Sequence, residues 1–469
     1  MSNKENKTIT KIVNSENNHI FYFWESLNEE EKKVFLNDIR GVDLNLVKKY
    51  FEKYQNQKIK KISFEPTPYL PIEKIEQKYK NIGEEALLNN EVAVLTVAGG
   101  QASRLGYEQP KGCFPITPLK NKSLFRIFSE KILFYSKYYK KDIKWFIMTS
   151  DTNYDDTKTF FEKNNYFGLK KEFVRFFEQG MLPTVTLDGK LILKEKNRLF
   201  LNPDGHGGIL TALNNNGLLN EMKKDGIKYL SYFQVDNPLV NLLDPYFIGY
   251  HILSKSDVTT KVVKKLYPDE KLGSIVKNKR HSFVIEYSDL PKENMFEKEA
   301  SGELKYPMGS IGIHCFSVDF LAKFTKKLEI HFARKVVDGY LFKGNEEPKL
   351  DKIEAIKFET FIFDIIKLTK KSFFFETERI DDFAPLKNKT GVDSIETTIL
   401  GQIDQFFYWL KYSGIIDKNI ELVNKKIEIS PLYAPDKNIF LEKTKKEADK
   451  LKRIIFNENG LLNEKIYID

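Results

Sequence analysis

The sequence predicts an α/β protein with a doubly wound sheet, mixed but mostly parallel, and small modules at both ends. Three observations point there. Val92-Ala-Val-Leu-Thr-Val97 is a continuous apolar run rich in β-branched residues, as expected of a strand buried on both faces. Two further runs follow, Lys144-Trp-Phe-Ile-Met-Thr149 and Tyr229-Leu-Ser-Tyr-Phe-Gln-Val235. Between them lie segments with helical spacing, Leu124 to Tyr138 and Thr157 to Asn164, and this alternation is the pattern of crossover-connected strands. In such sheets ligands bind beyond the carboxyl ends of the strands.

The flanks read differently. From about Phe21 to Ser63 the spacing is helical, with Trp24, Leu27, Val34, Phe35 and Ile39 on one period. Three prolines between Pro66 and Pro71 break it into an extended connection. Beyond Asp393 a helix is expected over Glu396 to Tyr412, then a polar, Lys-rich stretch with short strand-like runs. The chain of 469 residues exceeds one ordinary core. It divides on this reading into a helical region 1–88, a central domain 89–391 and a small module 392–469.

Composition excludes several classes. Hydrophobic residues make up 41% of the chain, far above what leaves a chain disordered. The net charge of +9 is spread among interleaved acids and bases, which argues for anionic small-molecule substrates and against a nucleic-acid stripe. Cys113 and Cys315 lack metal-type spacing and read as buried thiols. The polar start and the lack of any run approaching ~18 apolar residues exclude a membrane span. A cytoplasmic protein, a monomer or weak homo-oligomer with no nucleic-acid or membrane partner, is the expectation.

The first strand runs into Ala98-Gly99-Gly100-Gln101-Ala102-Ser103-Arg104-Leu105-Gly106, followed by Pro110-Lys111-Gly112. Paired glycines let backbone N–H groups approach a polyphosphate, and Arg104 and Lys111 supply countercharge. Two glycines alone would more readily read as a tight strand-to-helix turn. The run is neither a P-loop nor a dinucleotide fingerprint. In this order, after a buried strand, it resembles the signature loop of sugar-nucleotide pyrophosphorylases.

Further blocks extend the likeness: Phe177-Glu-Gln-Gly-Met-Leu-Pro183, Pro203-Asp-Gly-His-Gly-Gly208, Val235-Asp236-Asn237, Val284-Ile-Glu286, Lys357-Phe-Glu-Thr-Phe361-Ile-Phe363-Asp364 and Phe383-Ala-Pro-Leu-Lys387-Asn388. Together they resemble the eukaryotic-type UDP-N-acetylglucosamine pyrophosphorylases. The resemblance implies a nucleotide-diphospho-sugar transferase-like fold and a uridylyltransferase joining UTP to a sugar 1-phosphate, N-acetylhexosamine 1-phosphate foremost. It implies that Gly99, Gly100, Arg104 and Lys111 hold the phosphates of UTP, and that Gln179, Pro203, Asp204 and Gly205 lie near its uracil and ribose. Asp236 is implied as ligand of a magnesium ion (Mg2+), although an Asp-Asn-Pro sequence could also merely cap a strand. His206, Gly273, Glu286, Phe361 and Phe363 match sugar-side positions. Lys357 and Lys387 join Arg104 and Lys111 as charge-neutralising catalytic groups. Phe361 and Phe363, at helical spacing from Lys357, could also be core.

The sequence departs from the family at Ala102-Ser103, at His206 where asparagine is usual, and at Ser310 and Ile313. A lost amide at Ile313 would alter sugar discrimination. Glucose 1-phosphate or a broader sugar set is therefore the nearest rival reading. A non-catalytic nucleotide-sugar sensor would be expected to lack Lys111, Asp236 or Lys387, and all three are present.

Overall fold

The strand Val92–Val97 is buried along nearly its whole length and pairs in parallel on both sides, with Tyr229–Gln234 and with Trp145–Thr149. Trp145–Thr149 in turn pairs in parallel with Val174–Glu178. Val92–Val97, Trp145–Thr149 and Tyr229–Gln234 form the heart of the sheet because most of their side chains are buried on both faces, whereas Arg175 and Glu178 of Val174–Glu178 are exposed. The computed structural model describes residues 9–57, 63–324, 328–342, 346–421 and 425–469. The helical reading of 21–63 thus includes residues 58–62, which lie outside the described residues.

Among the described residues the sheet has ten strands. Met308–Ser317 runs antiparallel to Tyr229–Gln234 and to Val258–Lys264, so the sheet is mixed. Helices Leu124–Tyr139 and Tyr154–Lys163 lie where the spacing places them. The first is capped by the Ser123 side chain, which accepts from Arg126 N–H. Trp145, Phe125, Phe128, Phe161 and Phe233 fill the core. Both cysteines are buried and free. Among the described residues no helix is long and apolar enough to cross a membrane.

The chain folds as two compact units. One comprises residues 64–178, 213–325 and 365–469, and the other residues 1–63, 179–212 and 326–364. This interleaving differs from the three consecutive pieces of the sequence reading. Its physical cause is a shared apolar cluster: Phe35, Ile39 and Val47, from helices Glu29–Arg40 and Leu44–Gln55, pack with Val185, Leu191, Ile356 and Phe358. The helices bury their stripe only against strands contributed from the middle of the chain.

In that smaller unit a five-stranded sheet is dominated by the hairpin Ile330–Leu341 and Lys349–Thr360. Lys357 therefore sits on a strand, opposite Ala333, and not on the helix that its spacing to Phe361 suggested. In the larger unit the C-terminal segment adds helices Ile395–Tyr412 and Lys437–Ile455 around a two-stranded parallel sheet of Lys426–Ile429 and Lys465–Ile468. Trp409, Leu410, Phe440, Ile466 and Ile468 form its core.

Candidate functional site

In the larger unit the glycine loop leaves the end of Val92–Val97 with its carbonyls tied inward. Asn153 Nδ2 donates to Ala98 O at 2.9 Å and to Gly100 O at 3.4 Å, Ser150 Oγ to Gly99 O at 3.0 Å, and Lys111 N–H to Gly100 O at 3.1 Å. Fixing the carbonyls on one side leaves the opposite face of the loop for anions. A Cβ at Gly100 would meet nothing within 4 Å, so that face is open. Gly112 is the opposite case, because a Cβ there would lie 2.1 Å from the Phe125 ring. Arg104, in the turn Ser103–Leu105, is exposed.

Lys111 Nζ donates to Leu386 O at 3.4 Å, and Leu386 N–H donates to Asp236 O at 2.7 Å. Three sequence-distant residues, Lys111, Asp236 and Lys387, are thereby held through one stretch of backbone. Asp236 follows the strand Tyr229–Gln234 and is half-buried. The capping work at this turn falls to Asn237, which donates to Asp382 O at 2.6 Å and accepts from Ala384 N–H at 3.2 Å. Lys387 pairs with Asp393 at 3.2 Å. Burial opposes its charge, but the carboxylates of Asp236, Asp393 and Glu286 outweigh that and raise its pKa, so it stays an ammonium.

Gly273 pairs with Ser310 across two antiparallel strands. A Cβ at Gly273 would fall 2.5 Å from Val284 Cγ1 and 3.3 Å from Glu286 Oε1; glycine is what lets the hairpin close and the Glu286 carboxyl lie over this position. Ile313 is a correction. It is 1% exposed in the apolar core, so it lines no open pocket.

The smaller unit gathers the remaining group. Met181–Pro183 pairs with Leu201–Pro203, placing Gln179 and Gly180 beside the Pro203–Gly205 turn. Asp204 N–H donates to Gly180 O at 3.0 Å, while Asp204 O accepts from the N–H and hydroxyl of Thr360 at 2.8 and 2.9 Å. Gly205 has φ +87°, and a Cβ there would lie 2.4 Å from Thr360 O. The Asp204 carboxyl is enclosed by Gly180 and Gly208, its Oδ1 buried without a hydrogen-bond partner among the described residues. Burial pushes its pKa up to about 7.

Next to this turn, Ile362 N–H donates to His206 Nδ1 at 3.2 Å. An accepting Nδ1 puts the neutral ring's proton on Nε2. Phe361 stacks on His206 with centroids 5.2 Å apart and on His331 at 4.3 Å, with Phe363 at 5.2 Å. Asp364 holds His331 through a 2.7 Å contact to Nε2. Lys357 Nζ lies 2.6 Å from Glu359. Phe361 and Phe363 are half-exposed members of an aromatic group rather than core.

The sequence-derived residues therefore assemble into two groups: Gly99, Gly100, Arg104, Lys111, Asp236, Gly273, Glu286 and Lys387 in the larger unit, and Gln179, Pro203, Asp204, Gly205, His206, Lys357, Phe361 and Phe363 in the smaller. Sequence reasoning missed His331, and it missed Ser150 and Asn153, which fix the loop carbonyls. Ser150-Asp-Thr-Asn153 at the end of a buried strand, a cluster of backbone-bonding side chains, was the available signal. For His331 there was none.

Residues 44–400 match the family model described as UTP–glucose-1-phosphate uridylyltransferase. The chain is 32% identical to the UDP-N-acetylglucosamine pyrophosphorylase of Saccharomyces cerevisiae, over 97% of this chain and 98% of that one. It is likewise 32% identical to the UDP-N-acetylglucosamine diphosphorylase 2 of Arabidopsis thaliana, over 88% and 86%. The fold is similar to that of the UDP-N-acetylglucosamine pyrophosphorylase from Trypanosoma brucei, with a TM-score of 0.81 at 24% identity, covering 100% of this chain and 99% of that one. With a family model spanning most of its length and relatives covered nearly end to end, the chain belongs to the UTP–glucose-1-phosphate uridylyltransferase family.

Proposed function

We propose that this protein joins UTP to N-acetylglucosamine 1-phosphate, releasing pyrophosphate and forming UDP-N-acetylglucosamine. The observation that carries the reading is the convergence of Lys111, Asp236 and Lys387 beside an open glycine loop. Two polyanions must be brought together for a sugar phosphate oxygen to attack the α-phosphorus of UTP while pyrophosphate leaves. The protein's task is then positioning and charge neutralisation, and no protein nucleophile is required.

In this scheme the loop from Gly99 to Lys111 holds the phosphates of UTP, with Arg104 closing on them from the surface. Lys387, kept charged by its carboxylate neighbours, meets the sugar phosphate, and Lys357 in the smaller unit is matched by the family to a charge-neutralising role. The attacking phosphate is already ionised near neutral pH, so no general base is assigned. Gln179 and the Pro203–Gly205 turn read the uracil and ribose. His206, Phe361 and Phe363 in the smaller unit, and Gly273 and Glu286 in the larger, are each assigned to the sugar by their match to the family. The names of the yeast and Arabidopsis relatives support the N-acetylated sugar.

Asp236 suits magnesium, a hard cation commonly held by one or two carboxylates plus substrate phosphates rather than by an all-protein cage. Its carboxyl is half-exposed, and among the described residues no cluster of three or more ligating side chains competes for the ion. Magnesium bound there would neutralise phosphate charge as the reaction proceeds. The two buried free thiols favour a reducing, cytoplasmic setting.

Purified protein is mixed with UTP and magnesium, N-acetylglucosamine, N-acetylgalactosamine, glucose and galactose 1-phosphates are offered separately, and pyrophosphate release is recorded. The N-acetylated sugars should be the faster substrates, and Asp236→Ala should abolish release. Preference for glucose 1-phosphate, the sugar in the family model's description, would keep the mechanism and move the substrate. Binding of UTP without release from any sugar would favour a sensor.

A further inference from the structure

The C-terminal segment bears on the glycine loop through its own buried carboxylate. After Lys111–Cys113 the chain forms a tight excursion before helix Leu124–Tyr139, closed by Ile116 N–H to Lys122 O at 2.9 Å and Leu124 N–H to Phe114 O at 3.2 Å. At its tip, Leu119 and Lys120 both donate their N–H groups to one oxygen of Glu428, at 2.7 and 2.8 Å. Glu428 lies on the strand Lys426–Ile429 and is 1% exposed.

Other groups of the C-terminal segment hold the same excursion. Gln402 Nε2 donates to Ile116 O at 2.9 Å, Lys122 Nζ lies 3.4 Å from Ser430 Oγ, and Lys120 and Lys122 sit over the Tyr467 ring at 4.3 and 5.7 Å. The second oxygen of Glu428 is buried and has no hydrogen-bond partner among the described residues. A buried carboxylate half satisfied is costly, and the two backbone N–H groups at its other oxygen are what compensate it.

The path from this brace to the loop has little slack. Gly112 rests against Phe125 so closely that a Cβ could not fit. The base of the excursion, Phe114 to Leu124, is hydrogen-bonded closed. A shift at Leu119 or Lys120 is therefore passed back toward Lys111 rather than absorbed, because packed interiors do not deform continuously.

We propose that Glu428 is a positioning residue for nucleotide binding: the C-terminal segment braces the loop that carries Gly100 and Lys111. This rests on the reading of that loop as the UTP phosphate site. Losing the acceptor for two backbone donors should cost binding of the phosphates and leave the sugar side unchanged.

The test measures KM for UTP and for N-acetylglucosamine 1-phosphate, with kcat and melting temperature, in the full-length protein and in Glu428→Ala, Glu428→Gln and Gln402→Leu. Glu428→Ala should raise KM for UTP about tenfold and hold KM for the sugar phosphate within about twofold. Glu428→Gln, which keeps an oxygen acceptor, should recover most of the loss. Gln402→Leu, which releases Ile116 from the same excursion, should raise KM for UTP in the same sense, and it decides the matter should Glu428→Ala not fold. A lowered melting temperature with both KM values unchanged in Glu428→Ala and Gln402→Leu would make the segment merely structural and overturn the proposal. A wild-type protein that turns over no UTP would instead overturn the reading of the loop.

Discussion

At the scale of single residues, the carboxyl of Asp204 ties stability to pH. Burial raises its pKa from 3.8 to about 7, so the folded state holds its proton more tightly than the unfolded chain does. Its contribution to stability is then fully present below about pH 4 and is lost as pH climbs through 7. Asp204→Asn removes this dependence. By scanning calorimetry the variant should gain melting temperature relative to wild type between about pH 5 and about pH 8; a constant gap would show that the carboxyl is not raised. His331 poses a different question, since its Asp364-held ring forms one face of the stack on Phe361. Assayed for pyrophosphate release, His331→Ala should raise KM for the sugar phosphate about threefold to tenfold with little change in KM for UTP. Equal changes in both would remove the stack from sugar recognition. Motif reading reached Phe361 and Phe363 but not the histidine stacked on Phe361, because a lone His in Leu328-Glu-Ile-His331 carries no local mark of a partner 33 residues away. The same blindness made Ile313 look like a sugar contact: sequence order says which residue is changed, and only the pleat of Met308–Ser317 says which way it faces.

At the scale of elements, legibility followed burial. The Val92–Val97 run was readable because both faces are covered, so every residue but Thr96 is apolar. The strand Lys349–Thr360 was not, because its exposed half carries Lys and Glu between Ile353, Ala355, Ile356 and Phe358, a spacing that fits a helical stripe as well as a one-sided strand. The turn at Gly205 shows how a strand end and a loop constrain each other. With φ at +87° and Thr360 O in the way of any Cβ, Gly205→Ala must pay for an unfavourable backbone, about 1–2 kcal/mol, and displace the end of Lys349–Thr360 as well. It should lower the melting temperature and reduce pyrophosphate release sharply, with KM for UTP rising if the turn reads the nucleotide. Release and KM unchanged from wild type would show that the turn tolerates the shift.

At the scale of the whole molecule, the interleaved connectivity was the least readable feature. Periodicity reports which side of a helix is apolar, but nothing in residues 29–55 says that the covering surface comes from 185–199 and 356–358. The C-terminal segment was recognised as a change of character after Asp393, whereas its bonds to the excursion at 116–122 join residues about 300 positions apart and leave no periodic trace. The same kind of separation matters while the chain is being made. Tyr50 packs on Phe358, their ring centroids 5.6 Å apart, so the N-terminal helices must wait for about 300 further residues before that partner exists. At cellular elongation rates the wait is roughly 15–60 s, during which Phe35, Ile39 and Val47 have no native cover from the second strand of the hairpin. The apolar faces of the first helices therefore stay partly uncovered during most of synthesis, and this unit can be completed only late.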